Sequence, residues 1–151
     1  MASCVRRASV ALALFIAAYA VAPAAQIDLT SPVGTWRIID DKTGKPRSVI
    51  RIYEQDGKIF GRIERSLRPG VEPATCVRCT DERKDQPLIG MVFMRDLKLV
   101  DGEYRDGDIL DPDNGSVYRC RLRLVDGGKK VIVRGFLGIS LFGRTQTWER
   151  E

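Results

Sequence analysis

The chain has 151 residues, 25 of them basic and 20 acidic, which gives a formal net charge of +5. This length suits one ordinary domain. The sequence contains no histidine, which excludes Ser-His-Asp and Cys-His catalysis and any imidazole ligand to a metal. No motif of an activated nucleophile is present either. We therefore expect a non-enzymatic protein with no catalytic residues, no metal site and no cofactor.

The N-terminal residues have the pattern of a secretory signal peptide. Arg6 and Arg7 precede an uncharged, alanine-rich run over residues 8–22, and Ala22-Pro23-Ala24 supplies a cleavage site. The pattern predicts a cleaved signal over residues 1–25 and a mature domain over residues 26–151, located in the periplasm or secreted. A retained N-terminal anchor is the alternative, but the run is short for a membrane span of ~20 apolar residues. The mature chain then has no transmembrane span.

The charge that remains after cleavage is small. Without Arg6 and Arg7 the 25 basic residues become 23 against 20 acidic ones, a net charge of +3. These charges are spread along the chain, whereas nucleic-acid binding calls for clustered basic residues. We expect no nucleic-acid partner.

Eight segments of the mature chain have the alternation, or the β-branched and aromatic enrichment, of strands. In chain order they are 33–40, 47–54, 58–65, 88–95, 104–110, 116–125, 129–134 and 144–150. Turn residues such as Asp56-Gly57 and Asp111-Pro112-Asp113-Asn114-Gly115 separate them. The predicted fold is an all-β antiparallel meander. We favour its closure into a barrel of about eight strands, because closure removes exposed edges; a β-sandwich is the alternative.

Three cysteines of the mature chain raise the question of redox or metal chemistry. Cys76 and Cys79 form a CxxC pair in a long loop over residues 66–87. We favour a structural disulfide, since no strand leads into the pair as in redox-active motifs. Thiol exchange and a zinc site completed by Cys120 are the alternatives. Cys120 alternates with Tyr118 and Leu122, which predicts a thiol in the core.

Two groups of charged residues invite functional interpretations that we do not favour. The aspartates 106, 108, 111 and 113 could form an acid-base pair or a Ca²⁺ site, but Asp, Pro, Asn and Gly are also the ordinary residues of a turn. Arg119, Arg121 and Arg123 could bind a polyanion, but they also fit the outer face of a half-buried strand.

The last strand places polar side chains toward the interior. If Trp148 points inward, alternation sends Arg144, Gln146 and Arg150 the same way. Such side chains inside a barrel need partners or a polar ligand. The preceding stretch GFLGISLFG, residues 135–143, has three interpretations. It is a corner, a bulged pair of core strands, or an exposed contact patch. In a corner, the glycines would allow a sharp bend and a close approach of the backbone, and the large apolar side chains would line or close one barrel mouth: Phe136, Leu137, Ile139, Leu141 and Phe142.

Two resemblances bear on the fold. Gly34-Thr35-Trp36 resembles the Gly-x-Trp opening of lipocalins and related calycin barrels. In those folds the Trp plugs one barrel end beneath a basic side chain, which here would be Arg144 or Arg150. More widely, GTWRIIDDKTGKP, the CxxC loop, ILDPDNGSVYRC and RGFLGISLFGRTQTWER resemble the family named domain of unknown function 2147. That resemblance implies an exported bacterial protein of β-rich fold and brings no established reaction.

These observations give two functional expectations. The first is non-enzymatic binding of a small amphipathic or anionic ligand inside the barrel. The expected site residues are Trp36, Phe136, Phe142, Arg144, Gln146 and Trp148. The second is an envelope interaction or stress-related protein with a solid barrel, whose loops bind another protein. The sequence does not indicate an oligomeric state.

Overall fold

The protein folds as an all-β domain. The computed structural model describes residues 28–70, 74–139, 141 and 143–151, so the predicted signal peptide over residues 1–25 lies outside the described residues. The elements, in chain order, are β1 (Gly34–Ile39), β2 (Pro46–Gln55), β3 (Lys58–Ser66), β4 (Val92–Val100), β5 (Glu103–Asp111), β6 (Ser116–Val125), a 3₁₀ turn (Asp126–Gly128), β7 (Lys130–Phe136) and β8 (Gly143–Arg150). No helix among the described residues has the length and hydropathy needed to cross a membrane.

The eight strands form a closed antiparallel barrel. Each strand pairs with the next in sequence, and β8 pairs with β1 to complete the ring. In that closing pair Trp36 lies opposite Arg150, and Ile38 lies opposite Trp148. The predicted meander barrel is therefore confirmed, and the sandwich alternative is not. Because the chain runs up and down, the turns at 56–57, 101–102 and 126–128 lie at one end and the other four connections at the opposite end.

The fourth strand differs from its prediction. The apolar run predicts a strand from Leu88 to Arg95, but β4 begins at Val92 and continues to Val100. Residues before Val92 form a turn in which Met91 N donates to Leu88 O at 3.1 Å and Gly90 N to Ile63 O at 2.8 Å. An unbroken apolar run does not show where pairing starts, because both the turn and the strand bury side chains.

One end of the barrel is closed by Trp36 and Arg150. The Trp36 indole is fully buried and donates from Nε1 to the carbonyl of Pro32 at 2.8 Å. The Arg150 guanidinium lies 4.2 Å from the centre of the indole ring. It also donates to three carbonyls: Ser31 at 2.7 Å, Gly128 at 2.8 Å and Val33 at 3.0 Å. Of the two arginines considered for this contact, Arg150 makes it.

Gly34 is the residue that makes room for this contact. Its φ of +145° lies where side chains are disfavoured, and a Cβ there would stand 2.7 Å from Arg150 Nη1. The Gly-x-Trp opening is thus explained by packing. Above this plug, the closed half of the barrel is filled by buried aliphatic side chains: Ile50, Ile52, Leu97, Leu122 and Val131.

The long β3–β4 loop is fixed against the open end of the barrel. Cys76 and Cys79 form the predicted disulfide, and both are buried. The Arg78 side chain donates to Asp113 O at 2.9 Å, in the turn between β5 and β6. Cys120 is a free, buried thiol whose pKa is raised by burial, which agrees with its predicted place in the core.

The same loop holds a buried cation. Arg83 is buried, and its Nε donates to Asp81 Oδ2 at 3.1 Å while its Nη1 donates to Val92 O at 3.3 Å. The hydrogen bonds from Arg83 lower the pKa of Asp81 from 3.8 to about 2. A lowered pKa means that the carboxylate stabilises the fold above pH 4 and that this stabilisation is lost as pH falls through 2.

We predict that Asp81→Asn lowers the free energy of unfolding at neutral pH by about 2 kcal/mol, since it leaves a buried guanidinium without its carboxylate. The melting temperature of the variant should also fall less steeply than that of the wild type between pH 4 and pH 2. Asp85→Asn, an exposed position of the same loop, is the matched control. Equal melting temperatures for the two variants at pH 7 would show that the Asp81 carboxylate does not stabilise the fold through Arg83.

Candidate functional site

The open end of the barrel leads into a cavity of about 280 Å³. Residues from all eight strands and from the β5–β6 turn line it. They are Ile38, Arg47, Ser48, Ile63, Phe93, Ile109, Leu110, Asp111, Asn114, Tyr118, Val133, Gly135, Gly143, Arg144, Gln146 and Trp148. The barrel is therefore filled at the Trp36 end and hollow at the other.

The deep part of the cavity is apolar. Trp148 is fully buried, and its ring centre lies 6.0 Å from that of Phe93 at an interplanar angle of 47°. Ile38, opposite Trp148 on the neighbouring strand, and Val133, opposite Gln146, extend this apolar wall. Such a surface favours an aliphatic or aromatic group over water.

The rim of the cavity is polar and carries both signs of charge. Arg144 forms an ion pair with Asp41 at 2.6 Å, and Arg47 forms one with Asp113. The hydrogen bond to Asp41 is the main reason that the pKa of Arg144 is raised. Both arginines reach the cavity from the ends of their strands, so each could exchange its carboxylate for the head group of a ligand.

Gln146 lies between the apolar interior and the charged rim. Its Oε1 accepts a hydrogen bond from Trp148 Nε1 at 3.2 Å. Among the described residues none accepts a hydrogen bond from its Nε2, although the side chain is half-buried. A half-buried amide donor needs an acceptor from water or from a ligand.

The chain matches one family of bacterial proteins over most of its length. The model of a family described as "Uncharacterized protein conserved in bacteria (DUF2147)" matches residues 34–150. The chain belongs to the DUF2147 family. No curated protein matches it.

A solved structure has a fold similar to that of this DUF2147 chain. Protein HP1028 of Helicobacter pylori, described as belonging to the lipocalin family, has a TM-score of 0.69 to this chain. The match covers 80% of this chain and 83% of that one, at 19% sequence identity. At that identity the likeness concerns the fold, and it is the eight-stranded barrel that the two share.

The structure of this DUF2147 protein brings together three of the six predicted site residues. Arg144, Gln146 and Trp148 all line the cavity, as alternation along β8 predicts. Trp36 does not line it, because Trp36 plugs the closed end beneath Arg150. Phe136 is also outside it, since β7 turns Val133 and Gly135 inward and Phe136 therefore outward. Phe142 lies outside the described residues.

The stretch GFLGISLFG is the end of β7, the following loop and the start of β8. Of its described residues, only the two terminal glycines, Gly135 and Gly143, line the cavity. A Cβ on Gly143 would stand 2.5 Å from Gly135 O, so the predicted close approach of backbone occurs here. Leu137, Ile139 and Leu141 are exposed to solvent and do not line the cavity, so for these three side chains the interpretation as a cavity wall is wrong and the interpretation as an exposed patch agrees with the structure.

Sequence reasoning missed several residues of this DUF2147 cavity. Phe93 lies in an apolar run without alternation, so no signal assigned it to the interior. Tyr118 was identified as sharing a face with Cys120 and Leu122, and that signal could have placed it at the site. Asn114 comes from a turn; its Nδ2 donates to the Tyr118 hydroxyl at 3.0 Å.

The aspartates near the cavity act in turns and ion pairs. Asp111 accepts hydrogen bonds from Asp113 N at 3.0 Å and from Asn114 Nδ2 at 3.2 Å. Asp108 pairs with Arg95 at 3.2 Å. In the described part of the chain, no three acidic or cysteine side chains converge in a way that could hold a metal ion.

Proposed function

We propose that this protein is an exported, non-enzymatic barrel that binds a small amphipathic ligand in its open-end cavity. The observation that carries the proposal is the polarity of that cavity, which is apolar around Trp148 and Phe93 and polar at a rim that includes Gln146 and Arg144. Export rests on the pattern of residues 1–25, and the expected location is the periplasm or the exterior.

The arrangement suits a ligand with one apolar and one polar end. An apolar chain would replace water against the two aromatic rings, at about 25 cal/mol per Å² of area buried. Its head group would lie at the level of Gln146 Nε2 and the two rim arginines, Arg47 and Arg144. An acceptor such as a carboxylate or sulfonate satisfies all three donors.

The size of the cavity restricts the ligand. A volume of about 280 Å³ is just below the ~300–1,000 Å³ typical of sites for drug-sized molecules. A single short chain fits this limit better than a two-chain lipid. The same hollow interior argues against the alternative of a solid barrel that acts only through its loops.

Titration with dodecanoate, followed by tryptophan fluorescence, tests the proposal. We expect a saturable change that arises from Trp148, because Trp36 lies at the other end of the barrel, and that disappears in Trp148→Phe. No saturable binding of dodecanoate or of any other single-chain amphiphile would contradict the proposal.

Arg144→Gln tests the part played by the charged rim. We expect dodecanoate to bind about fivefold more weakly, because an exposed charge interaction contributes ~1 kcal/mol to the binding free energy. The affinity for the uncharged dodecanol should not change. Lys130→Gln, at the far end of β7, is the matched control. An equal effect on both ligands would show that the head group does not lie at this arginine.

A further inference from the structure

The open end of the barrel carries most of the exposed apolar surface. Of nine large hydrophobic side chains exposed among the described residues, six lie in the two loops that follow β3 and β7. They are Leu67, Val77, Ile89, Leu137, Ile139 and Leu141. The last three are close in sequence and are 59%, 60% and 81% exposed. We call these three the apolar tip. Clustered exposed apolar side chains mark interaction sites.

Cationic side chains lie immediately below the apolar tip on the outside of the barrel. A cleft of about 290 Å³ is lined by three arginines, one aspartate and residues that lead to the tip: Arg105, Asp106, Gly107, Arg119, Cys120, Arg121, Phe136, Gly138 and Ile139. The ring of Phe136 forms part of its wall, with the Arg121 guanidinium 5.4 Å from the ring centre. The cleft therefore joins a basic surface to the tip without interruption.

The charges of this cleft are only partly balanced. Arg105 pairs with Asp101 at 2.9 Å, and Arg121 pairs loosely with Glu103 at 3.8 Å. Arg119 is exposed and has neither an ion pair nor a hydrogen bond from its side chain among the described residues. Arg119 lies opposite Phe136 in the β6–β7 pair. Phe136 is the last residue of β7, so Arg119 is next to the start of the apolar tip.

We propose that the apolar tip, together with the basic cleft that contains Arg119, docks the open end of the barrel onto a bilayer that contains anionic lipid. Apolar side chains at the extremity would enter the acyl boundary, and guanidinium groups one level further back would meet the phosphates. Three exposed aliphatic side chains give weak membrane affinity by themselves, and an adjacent cationic group supplies the second signal that stable binding requires.

The order of apolar and basic groups favours a bilayer over a protein partner. The apolar side chains lie in the loop beyond the ends of β7 and β8, and Arg119 and Arg121 lie on β6 in the cleft that leads to this loop. This matches the layering of acyl chains beneath phosphates. Since Gly135 and Gly143 at the base of the hairpin line the cavity, docking would also turn its mouth toward the membrane. The proposal rests on the outer surface and stands independently of what the cavity binds.

Co-sedimentation with vesicles tests the docking surface. We expect the full domain to bind vesicles of phosphatidylcholine containing one-third phosphatidylglycerol, and to bind pure phosphatidylcholine much more weakly. Combined L137S, I139S and L141S substitution should weaken binding at least about tenfold, and Arg119→Gln about fivefold. These side chains are exposed, so the melting temperature should not change.

Matched controls exist on the same barrel. Leu99→Ser removes a side chain that is also 59% exposed but lies at the closed end. Arg123→Gln removes an exposed arginine four residues further along β6, on the same face as Arg119. Both controls should bind vesicles as the wild type does. The proposal is overturned if the wild type does not sediment with anionic vesicles, or if the controls lose as much binding as the tip and cleft variants. It is also overturned if sedimentation equilibrium shows that the tip instead joins two copies of the chain.

Discussion

Arg150→Met is expected to lower the free energy of unfolding by about 3 kcal/mol. The substitution keeps an apolar stem of similar length but removes the three hydrogen bonds to Ser31, Val33 and Gly128. It also removes the cation from the face of Trp36. These three carbonyls belong to the segment before β1 and to the turn before β7, so the guanidinium joins parts of the barrel that are distant in sequence.

Urea denaturation of the variant measures this effect. Arg150→Lys should be intermediate, because an ammonium keeps the charge but cannot span three carbonyls in a planar fork. Arg123→Met, on the exposed face of β6, should change the unfolding free energy by less than about 0.5 kcal/mol. If Arg150→Met and Arg123→Met unfold at the same urea concentration, Arg150 does not stabilise the closed end.

Gly135→Phe is expected to abolish most ligand binding while leaving the barrel folded. Gly135 faces the cavity, and a Cβ there meets Ile109 and Tyr118 at 3.4 and 3.5 Å, which is ordinary contact. The added ring would occupy the space near the mouth. We expect dodecanoate affinity to fall about 100-fold, which corresponds to ~2.7 kcal/mol of lost apolar contact.

Fluorescence titration of this variant separates blocking from unfolding. Thr147→Phe, an exposed position on β8, places the same ring on the outside of the barrel and should bind dodecanoate as the wild type does. The urea midpoint of Gly135→Phe should stay close to that of the wild type, because the new ring fills an existing space. Undiminished binding by Gly135→Phe would mean that the ligand lies elsewhere.

Alternation was the most informative signal in this sequence, and it was most reliable where polar and apolar residues alternate cleanly. In β8 it placed Arg144, Gln146 and Trp148 in the interior and put Arg150 on the same face. Alternation along β7 also predicts that Phe136 points outward. This was missed because the segment was interpreted as a corner and not as the end of a strand. In β4 the run around Phe93 is apolar on both faces, so neither the start of the strand nor the direction of that ring could be derived.

The cavity itself could not be derived from the sequence. Whether a barrel is filled depends on how many large side chains reach each level of the interior. Here Gly135 and Gly143 at the open end contribute no side chain, whereas Trp36 fills the closed end. The closed end was predictable because the Gly-x-Trp opening has a packing reason in Gly34 and Arg150.

A crystal structure of the protein with a bromine-tagged dodecanoate shows whether the ligand binds inside the barrel. We expect an anomalous bromine peak in contact with Phe93 and Trp148 when the bromine is at the apolar end of the ligand, with the carboxylate beside Gln146 and Arg144. A barrel interior filled by its own side chains, or bromine bound only on the outer surface, would contradict it.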